Sequence, residues 1–347
     1  MALAPIQTAT KWWHTTTDNQ HVVCTLCPRF CRLKPGQAGF CFVRENQNGV
    51  LVSKAYGQPL ALNIDPIEKK PLFHFYPASR ILSIGTAGCN MGCKFCQNWD
   101  ISHATENHQY SRHFTPEALV QMAQKQSIPS IAFTYNEPTI FGEYVMDISQ
   151  LAHKQNIHTV MVTNGFITDE AIQDIYPLID AANIDLKAFS DNFYRKITLS
   201  KISPVLDAIV KIRSLGTWVE LTTLLIPGLN TGENEIRELA TWVLHNLGCD
   251  TPLHFSAFHP DYKLRNIPAT SINQLERAYA IAREVGLNHV YLGNIVTEKG
   301  NTLCPNCQFT VIRRSWYDTN NMLSADGCCP TCGTQLPGVY NQVSPVN

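Results

Sequence analysis

Residues 81–99 read ILSIGTAGCNMGCKFCQNW, and this stretch decides the fold. A run of aliphatic residues leads into a glycine-rich loop that carries three cysteines, Cys89, Cys93 and Cys96. Three thiolates on a cubane of four irons leave one iron able to bind another ligand. The glycines of the loop relieve steric limits where the backbone folds around a bulky cluster. The spacing therefore predicts a [4Fe–4S] cluster with an open iron, and the alternative is a zinc knuckle that lacks one ligand.

Strand and helix patterns alternate from this stretch to about residue 293. β-branched and aromatic runs predict seven strands, at residues 80–85, 130–134, 158–163, 182–186, 218–226, 253–258 and 289–292. Helix starts are predicted at Thr115-Pro116, Thr168-Asp169 and Ser203-Pro204, and helix ends at Gly216 and Gly286. This alternation is typical of βα units on a parallel sheet. We expect an α/β fold, a partial or full (β/α) barrel of the TIM type, although periodicity alone does not exclude two Rossmann halves.

Two further groups of cysteines flank the expected barrel. The front quartet is Cys24, Cys27, Cys31 and Cys41, and the rear quartet is Cys304, Cys307, Cys329 and Cys332. Zinc and an additional iron–sulfur centre both fit the front quartet, and the spacing does not decide between them. The rear quartet forms two knuckles of a zinc-ribbon or rubredoxin type, which would hold zinc or iron. We expect a cysteine-rich segment and lead-in over residues 1–77, the barrel over 78–297, and the metal-binding ribbon over 298–347.

Composition narrows the classes of protein to consider. A disulfide framework rarely repeats such short gaps, so most of the 13 cysteines are predicted to be metal ligands, with Cys249 and Cys328 left over. The formal net charge of -1 means that the protein has no net positive charge that would attract nucleic acid. The amino terminus lacks the charged region followed by a long apolar run that is typical of a signal peptide. No later stretch is long and apolar enough to span a membrane. We expect a soluble cytoplasmic protein with no nucleic-acid or membrane partner.

Polar residues follow several predicted strands, at the ends where parallel barrels place ligands. They are Thr134, Asn136, Glu137, Asn164, Asp185, Lys187, His259 and, more weakly, Asn294. Other interpretations stay open for three of them. In place of a role in binding, Glu137 could be the residue before a helix that begins at Pro138, and Lys187 could be a solvated lysine at a strand end. His259 could be a residue packed among aromatic side chains.

With these segments, the sequence resembles the radical S-adenosylmethionine (SAM) superfamily, and within it the activating enzymes of glycyl-radical enzymes, such as pyruvate formate-lyase activating enzyme. The resemblance implies that SAM chelates the open iron and that one electron splits its sulfonium. The resulting 5′-deoxyadenosyl radical would abstract hydrogen. It also implies that Cys89, Cys93 and Cys96 are the cluster ligands and that the strand-end residues contact SAM.

The resemblance assigns individual contacts. Glu137 stands where the family often has a glycine-glycine-glutamate turn that receives the methionine ammonium, but Tyr135 and Asn136 replace the glycines here. Asn164 lies in a segment that contacts the ribose, although Val162 stands where an aspartate often precedes this segment. Lys187, with Asp185, is the implied partner of the methionine carboxylate. His259 lies in a segment that lines the adenosine pocket.

Taken over nearly its whole length, the chain resembles the radical enzymes of the AmmeMemoRadiSam system. This implies association with AMMECR-type and Memo-type proteins and an electron donor such as flavodoxin or ferredoxin. We therefore expect an oxidoreductase that cleaves SAM reductively, with a protein or a small molecule as substrate. If the enzyme acts on a protein, the rear ribbon is a candidate docking surface. The alternative is a metal-stabilised binding module with a catalytically idle barrel. Residues 65–77, which precede the barrel, are expected either to cover the site or to form a surface linker.

Overall fold

The computed structural model describes residues 8–17, 20–104, 113–315 and 318–340. The strands are β1 (Thr8–Ala9), β2 (Trp13–Thr15), β3 (Val22–Cys24), β4 (Arg32–Leu33), β5 (Arg44–Gln47), β6 (Val50–Ser53), β7 (Ala61–Pro66), β8 (Arg80–Gly85), β9 (Ser130–Phe133), β10 (His158–Thr163), β11 (Ala181–Asp185), β12 (Trp218–Leu225), β13 (Leu253–Ala257), β14 (Val290–Gly293), β15 (Thr302–Leu303), β16 (Thr310–Ser315) and β17 (Asp318–Asn321). The α-helices are α1 (Trp99–Ser102), α2 (Pro116–Lys125), α3 (Gly142–His153), α4 (Asp169–Ile175), α5 (Asp191–Phe193), α6 (Ser203–Ser214), α7 (Glu233–Leu247) and α8 (Ile272–Val285). Short 3₁₀ helices span Ile67–Lys69, Pro138–Phe141, Tyr176–Leu178 and Glu298–Gly300, and a π-helix spans Tyr194–Thr198.

An eight-stranded sheet forms the centre of the molecule, in the order β14-β13-β12-β11-β10-β9-β8-β7. Strands β8 to β14 run parallel, and β7 joins β8 antiparallel. Helix α3 packs on β10, α6 on β12, and α8 on β13 and β14. Because β7 and β14 are edge strands, the sheet is a partial barrel, as the sequence predicts.

The predicted strands and helices agree closely with the observed ones. The first and third predicted strands match β8 and β10 at both ends, and the other five differ by one residue at one or both ends. Thr115 caps α2 by accepting a hydrogen bond from the Ala118 backbone, and Pro116 is the first helical residue. Gly286 ends α8 in the left-handed conformation, with φ of 114°.

The front segment packs on the barrel rather than standing apart from it. Trp12, Val22 and Leu26 belong to the same hydrophobic core as the barrel strands. The sheets β1-β6-β5 and β2-β3-β4 are the regular structure of this segment. The domain boundaries drawn from the sequence stay a prediction, and residues 1–7, used to judge the amino terminus, lie outside the described residues.

The rear ribbon, which contains the sheet β15-β16-β17, lies at the amino ends of the barrel strands. The Arg314 guanidinium on β16 donates to the carbonyl oxygen of Phe73 at 2.8 Å. The Phe73 ring contacts His254 and Tyr291, the second residues of β13 and β14, with ring centroids 4.7 and 4.8 Å apart. The ribbon therefore lies away from the carboxyl ends of the strands, which removes the geometric basis for expecting it to dock a substrate at the barrel mouth.

Residues 65–77 pass beneath the sheet. Strand β7 ends at Pro66, and the chain then runs under the amino ends of the parallel strands. Tyr76 stacks on His158, the first residue of β10, with ring centroids 4.7 Å apart, and the backbone N–H of Tyr76 donates to Val339 of the ribbon at 2.8 Å. The segment is thus neither a lid over the carboxyl ends nor a loose linker, since it joins the barrel to the ribbon.

Within the described residues, no helix combines the length and the apolar character that crossing a membrane requires.

Candidate active site

The loop after β8 carries the three cysteines at the carboxyl edge of the parallel sheet. Cys93 is buried, and Cys89 and Cys96 are half-buried. Backbone hydrogen bonds fasten the loop to the π-helix: the N–H groups of Gly92 and Lys94 donate to the carbonyls of Thr198 and Ile197, both at 2.9 Å. The loop is therefore held in one shape by the turn that follows β11.

Burial controls the acidity of the three thiols. It raises the pKa of Cys93 to about 12, and the nearby Lys187 ammonium offsets only part of this rise. Burial also raises the pKa of Cys89, where the Glu137 carboxylate adds to the effect, and the pKa of Cys96. Since thiolates rather than thiols bind iron, loading a metal here releases protons.

Glu137 links the carboxyl ends of β9 and β10. Its Oε1 accepts hydrogen bonds from the Thr139 N–H at 3.0 Å, the Thr139 hydroxyl at 2.6 Å and the Thr163 hydroxyl at 2.8 Å. Its Oε2 accepts one, from the Asn164 N–H at 2.7 Å. Burial raises the pKa of Glu137, and these donors oppose the rise. Oε2 therefore keeps an acceptor position open, whereas Oε1 is fully engaged.

Two asparagines hold the cysteine loop. The Asn136 side chain donates to the Gly88 carbonyl at 2.8 Å and accepts from the Thr86 N–H at 3.1 Å. The Asn164 Nδ2 donates to Asn90 Oδ1 at 2.9 Å and lies 3.9 Å from the Cys89 sulfur. Thr134, also predicted for this site, is buried, and its N–H donates to the Ile84 carbonyl at 2.8 Å.

Lys187 and Asp185 follow β11 as an ion pair, with 2.9 Å between Nζ and Oδ2. Burial lowers the pKa of Lys187, but the charges of Asp185 and of a Cys93 thiolate outweigh burial and hold the pKa above its ordinary value. The ammonium also lies 5.7 Å from the centre of the Phe95 ring. A fixed positive charge thus stands beside the cysteine loop.

Two weaker candidates lie further round the edge of the sheet. His259 follows β13 and is exposed, and Asn294 follows β14, where its Nδ2 donates to the Ala257 carbonyl at 3.1 Å. Their roles toward a cofactor stay predictions.

The sequence alone does not mark Asn90, Thr163 or Arg29 as site residues. Asn90 belongs to the cluster loop and lines the cavity of the front quartet, and its Nδ2 donates to the Phe166 carbonyl at 2.7 Å. Arg29 lies inside the front quartet, and its Nε donates to the Asn90 carbonyl at 2.5 Å. Asn90, Thr163 and Arg29 are polar residues close to predicted site residues in the sequence, and that position is the only signal for them. Their hydrogen-bond partners lie far away in the sequence, so these contacts depend on the tertiary fold.

The spacing of the sulfur atoms separates the three cysteine groups. In the rear quartet all four sulfur atoms lie within 4.8 Å of one another, and Cys304–Cys332 and Cys307–Cys329 are 3.6 Å apart. Such spacing fits a single ion with four thiolates, which at roughly 2.3 Å from each sulfur brings the sulfurs about 3.8 Å apart. The predicted convergence of Cys304, Cys307, Cys329 and Cys332 is confirmed.

The triplet is more widely spaced. Over the ranges that the structure describes, the rear quartet is the only group of three or more Cys, His, Asp or Glu ligand atoms this close. One zinc ion holds its thiolates about 3.8 Å apart, so the triplet does not have the spacing of a single-ion site. The buried Cys93, the half-buried Cys89 and Cys96 and the adjacent Lys187 fit the [4Fe–4S] cluster that the sequence predicts.

The comparisons with known proteins agree with this geometry. The Radical SAM superfamily model matches residues 83–243. An uncharacterized protein of Methanocaldococcus jannaschii is 42% identical over 322 residues, covering 92% of this chain and 96% of that protein. The pyruvate formate-lyase-activating enzyme of Clostridium pasteurianum is 25% identical over 201 residues, covering 52% of this chain and 81% of that enzyme.

A solved structure shares the fold. A radical SAM methyltransferase from Sphaerobacter thermophilus gives a TM-score of 0.51 at 16% identity, covering 84% of this chain and 77% of that protein. The superfamily uses a [4Fe–4S] cluster and SAM. The chain therefore belongs to the radical SAM superfamily as an enzyme, and it is similar to the activating enzymes of glycyl-radical enzymes.

Proposed function

We propose that this enzyme holds a [4Fe–4S] cluster on Cys89, Cys93 and Cys96, cleaves SAM reductively, and uses the 5′-deoxyadenosyl radical to abstract a hydrogen atom. One observation carries the proposal: the three thiols share the carboxyl edge of a parallel sheet with Glu137, Asn164 and Lys187, each at a different strand end. The cluster would supply the electron and the open iron for SAM.

The residues of this chain would orient SAM by charge. The Lys187 ammonium is half-buried and fixed by Asp185, so it is suited to pair with the methionine carboxylate. Glu137 Oε2 has an acceptor position left, which supports the assignment of the methionine ammonium to this carboxylate. Asn164, whose N–H is already fixed by Glu137, would hold its side chain beside Cys89.

We infer a protein substrate rather than a small molecule. The activating-enzyme relatives support this, and so does a set of exposed apolar side chains on the segments that follow strands at the carboxyl edge of the sheet. Trp99 is 41% exposed, Leu199 44% and Val296 77%, and they follow β8, β11 and β14. Such a rim suits contact with another polypeptide. A flavodoxin or ferredoxin donor and the AMMECR-type and Memo-type partners stay predictions from the resemblance.

The first experiment measures SAM cleavage anaerobically, after reconstitution with iron and sulfide and reduction. Wild type is expected to form 5′-deoxyadenosine and methionine. Cys93→Ala removes a cluster thiolate and should abolish both cluster assembly and cleavage without releasing the metal of the rear quartet. Cys249→Ala, which removes a half-buried cysteine outside the three groups, is the matched control. Turnover retained in Cys93→Ala, or a wild-type cluster that never binds SAM, would contradict the proposal and favour an idle barrel.

The second experiment separates the substrate classes. An anaerobic extract of the source cells is divided into a desalted macromolecular fraction and a low-molecular-weight filtrate, and each is added to the reduced enzyme with SAM. Faster 5′-deoxyadenosine formation with the macromolecular fraction, together with a stable organic radical in its EPR spectrum, is the expected result. Stimulation by the filtrate alone would mean that the substrate is a small molecule.

A further inference from the structure

The front quartet lines one small cavity beside the active site. Cys24, Cys27 and Cys41 are 7%, 9% and 8% exposed, Cys31 is half-buried, and all four side chains line the cavity. Four thiols that converge on one buried space are a ligand set for metal. Nothing in the activity proposed above requires them.

The cavity adjoins the loop that carries Cys89. A Cβ atom at Gly88 would lie 2.1 Å from the carbonyl oxygen of Cys41, so the backbone next to Cys89 touches the backbone of a front cysteine. Asn90, on the other side of Cys89, itself lines the cavity. Arg29 connects the cavity to the loop that carries Cys89, because it lines the cavity and its Nε donates to the Asn90 carbonyl at 2.5 Å.

A second arginine has an unused donor at this cavity. Arg44 is 1% exposed and lines the cavity, and its Nη1 pairs with both oxygens of Glu143 at 3.0 and 2.9 Å. Its Nη2 donates to the Lys11 carbonyl at 2.7 Å, but its Nε is buried without a hydrogen-bond partner. A buried unpaired donor is costly. Burial raises the pKa of Cys24 and the Arg44 guanidinium beside it opposes the rise, so a Cys24 thiolate held by a bound metal group would pair with Arg44.

The front sulfurs do not have the spacing of a single-ion site. In the part of the chain that the structure describes, no three of them lie within 4.8 Å of one another, as the rear sulfurs do. One tetrahedral ion holds its thiolates about 3.8 Å apart, whereas a cubane of four irons holds them further apart.

We propose that Cys24, Cys27, Cys31 and Cys41 hold a second [4Fe–4S] cluster, which passes one electron to the cluster on Cys89, Cys93 and Cys96. A low-potential one-electron donor protein reduces the second cluster from the 2+ to the 1+ state. The second cluster returns to 2+ as the first is reduced from 2+ to 1+, and no bond or proton moves between them. The relay rests on the proposed function, whereas the second cluster does not.

Sulfide content tests the second cluster without any activity measurement. Reconstituted wild type is expected to hold about eight sulfides per chain, because each cubane has about four, and a single ion at the rear quartet adds none. The triple variant Cys89→Ala, Cys93→Ala, Cys96→Ala should keep about four sulfides, all in the front quartet. Cys31→Ser, at the least buried front position, should lose the front cluster and keep the first. Zinc without sulfide in the triple variant would overturn the proposal.

Electron transfer tests the relay. With a flavodoxin as donor, Cys31→Ser should lose rapid reduction of the first cluster, and dithionite, which reaches both clusters, should still reduce it. The reduced wild type should also show EPR signals broadened by coupling between two neighbouring clusters. Equal flavodoxin rates in wild type and Cys31→Ser, with no coupling, would overturn the relay. If the triple variant keeps its front cluster while wild type never cleaves SAM, the proposed function fails and the second cluster stands.

Discussion

Glu137 shows how one buried carboxylate can organise several strand ends. It accepts four hydrogen bonds from Thr139, Thr163 and Asn164. In Glu137→Gln an amide NH₂ replaces one oxygen, so at least one donor faces another donor. We expect the free energy of unfolding to fall by about 1–3 kcal/mol, and SAM affinity to fall as well. Denaturant unfolding and equilibrium binding measure the two effects, with Glu238→Gln on the exposed face of α7 as the control. Equal unfolding curves for wild type and Glu137→Gln would contradict the hydrogen-bond network.

His153 and Asp180 give the protein a pH-dependent contact outside the site. His153 Nε2 lies 3.0 Å from Asp180 Oδ2, with each side chain about a third exposed. The hydrogen bond to Asp180 raises the pKa of His153, and burial opposes it. Burial raises the pKa of Asp180, but hydrogen bonds from His153, His158 and the Thr159 N–H outweigh burial and lower it.

The stabilisation by this pair is largest between the two ordinary pKa values. The histidine contribution is full below about 6.5 and is lost as pH rises through its raised pKa; the aspartate contribution is present above about 3.9 and is lost as pH falls. His153→Gln keeps a neutral donor but cannot titrate. It should cost roughly 0.5–1 kcal/mol near pH 5.5, since solvent screens the pair, and less near pH 8.5. Urea unfolding at both pH values measures this difference, with the exposed His245→Gln as control. A cost that grows toward pH 8.5 would reverse the sign and refute the assignment.

At the scale of elements, the sequence predicts the seven parallel strands because each is a buried run between clear turn signals. It does not predict β7, whose residues Ala-Leu-Asn-Ile-Asp-Pro are mostly half-buried and polar in part. Such a strand is stable only as an edge beside β8, and it ends at a proline, as edge strands can. The sequence does not predict the π-helix either, because this helix is hydrogen-bonded to the cysteine loop, which is distant in the sequence.

The candidate site divides in the same way. The cysteine spacing predicts the triplet and the rear quartet, because cysteines that bind one metal group are often separated by short, characteristic gaps in the sequence. The strand-end position of Glu137 and Lys187 also follows from the sequence. The hydrogen bonds from Thr163 and Asn164 to Glu137 join residues that are 26 and 27 positions apart, and only the packing of β9 beside β10 brings them together.

We expect the rear ribbon to depend on a bound metal ion for its folding. Its own core is small: Val311, Ile312 and Leu336 with Cys304 and Cys329. Cys332→Ser should therefore release the ion and unfold the ribbon locally, while the barrel keeps its separate core. Metal content and hydrogen exchange over residues 302–336 measure this loss. Cys328→Ser is the matched control, because Cys328 adjoins Cys329 and lies outside the quartet. Full metal retention in Cys332→Ser would show that the four thiols are not the ligands.

At the scale of the whole molecule, the two ends of the barrel have different contents. The carboxyl ends carry the cysteine triplet and the residues assigned to SAM. At the amino ends, the buried Glu220 carboxylate accepts from His254 at 2.7 Å and from the His74 N–H at 2.8 Å, and the ribbon covers this network. Covering the amino ends would keep water out of a half-open barrel.

Arg314 is the contact that fixes the ribbon to the barrel. It is 7% exposed, its guanidinium lies 4.0 Å from the centre of the Phe73 ring, and it donates to the Phe73 carbonyl and to the Thr302 hydroxyl. Arg314→Met removes these hydrogen bonds but keeps much of the side-chain volume. We expect a loss of about 1–3 kcal/mol in unfolding free energy. Hydrogen exchange should speed up over residues 300–321 and 73–76.

SAM cleavage by Arg314→Met should stay at the wild-type rate, because the proposed reaction site lies at the opposite end of the strands. Arg313→Met is the matched control, since Arg313 is the exposed neighbour on the same strand and should change neither exchange nor cleavage. If Arg314→Met slows cleavage while the cluster content stays intact, the amino end of the barrel must influence the geometry at the carboxyl end. The ribbon would then contribute to catalysis, and its attachment through Phe73 would influence the rate of SAM cleavage in addition to covering the amino ends of the strands.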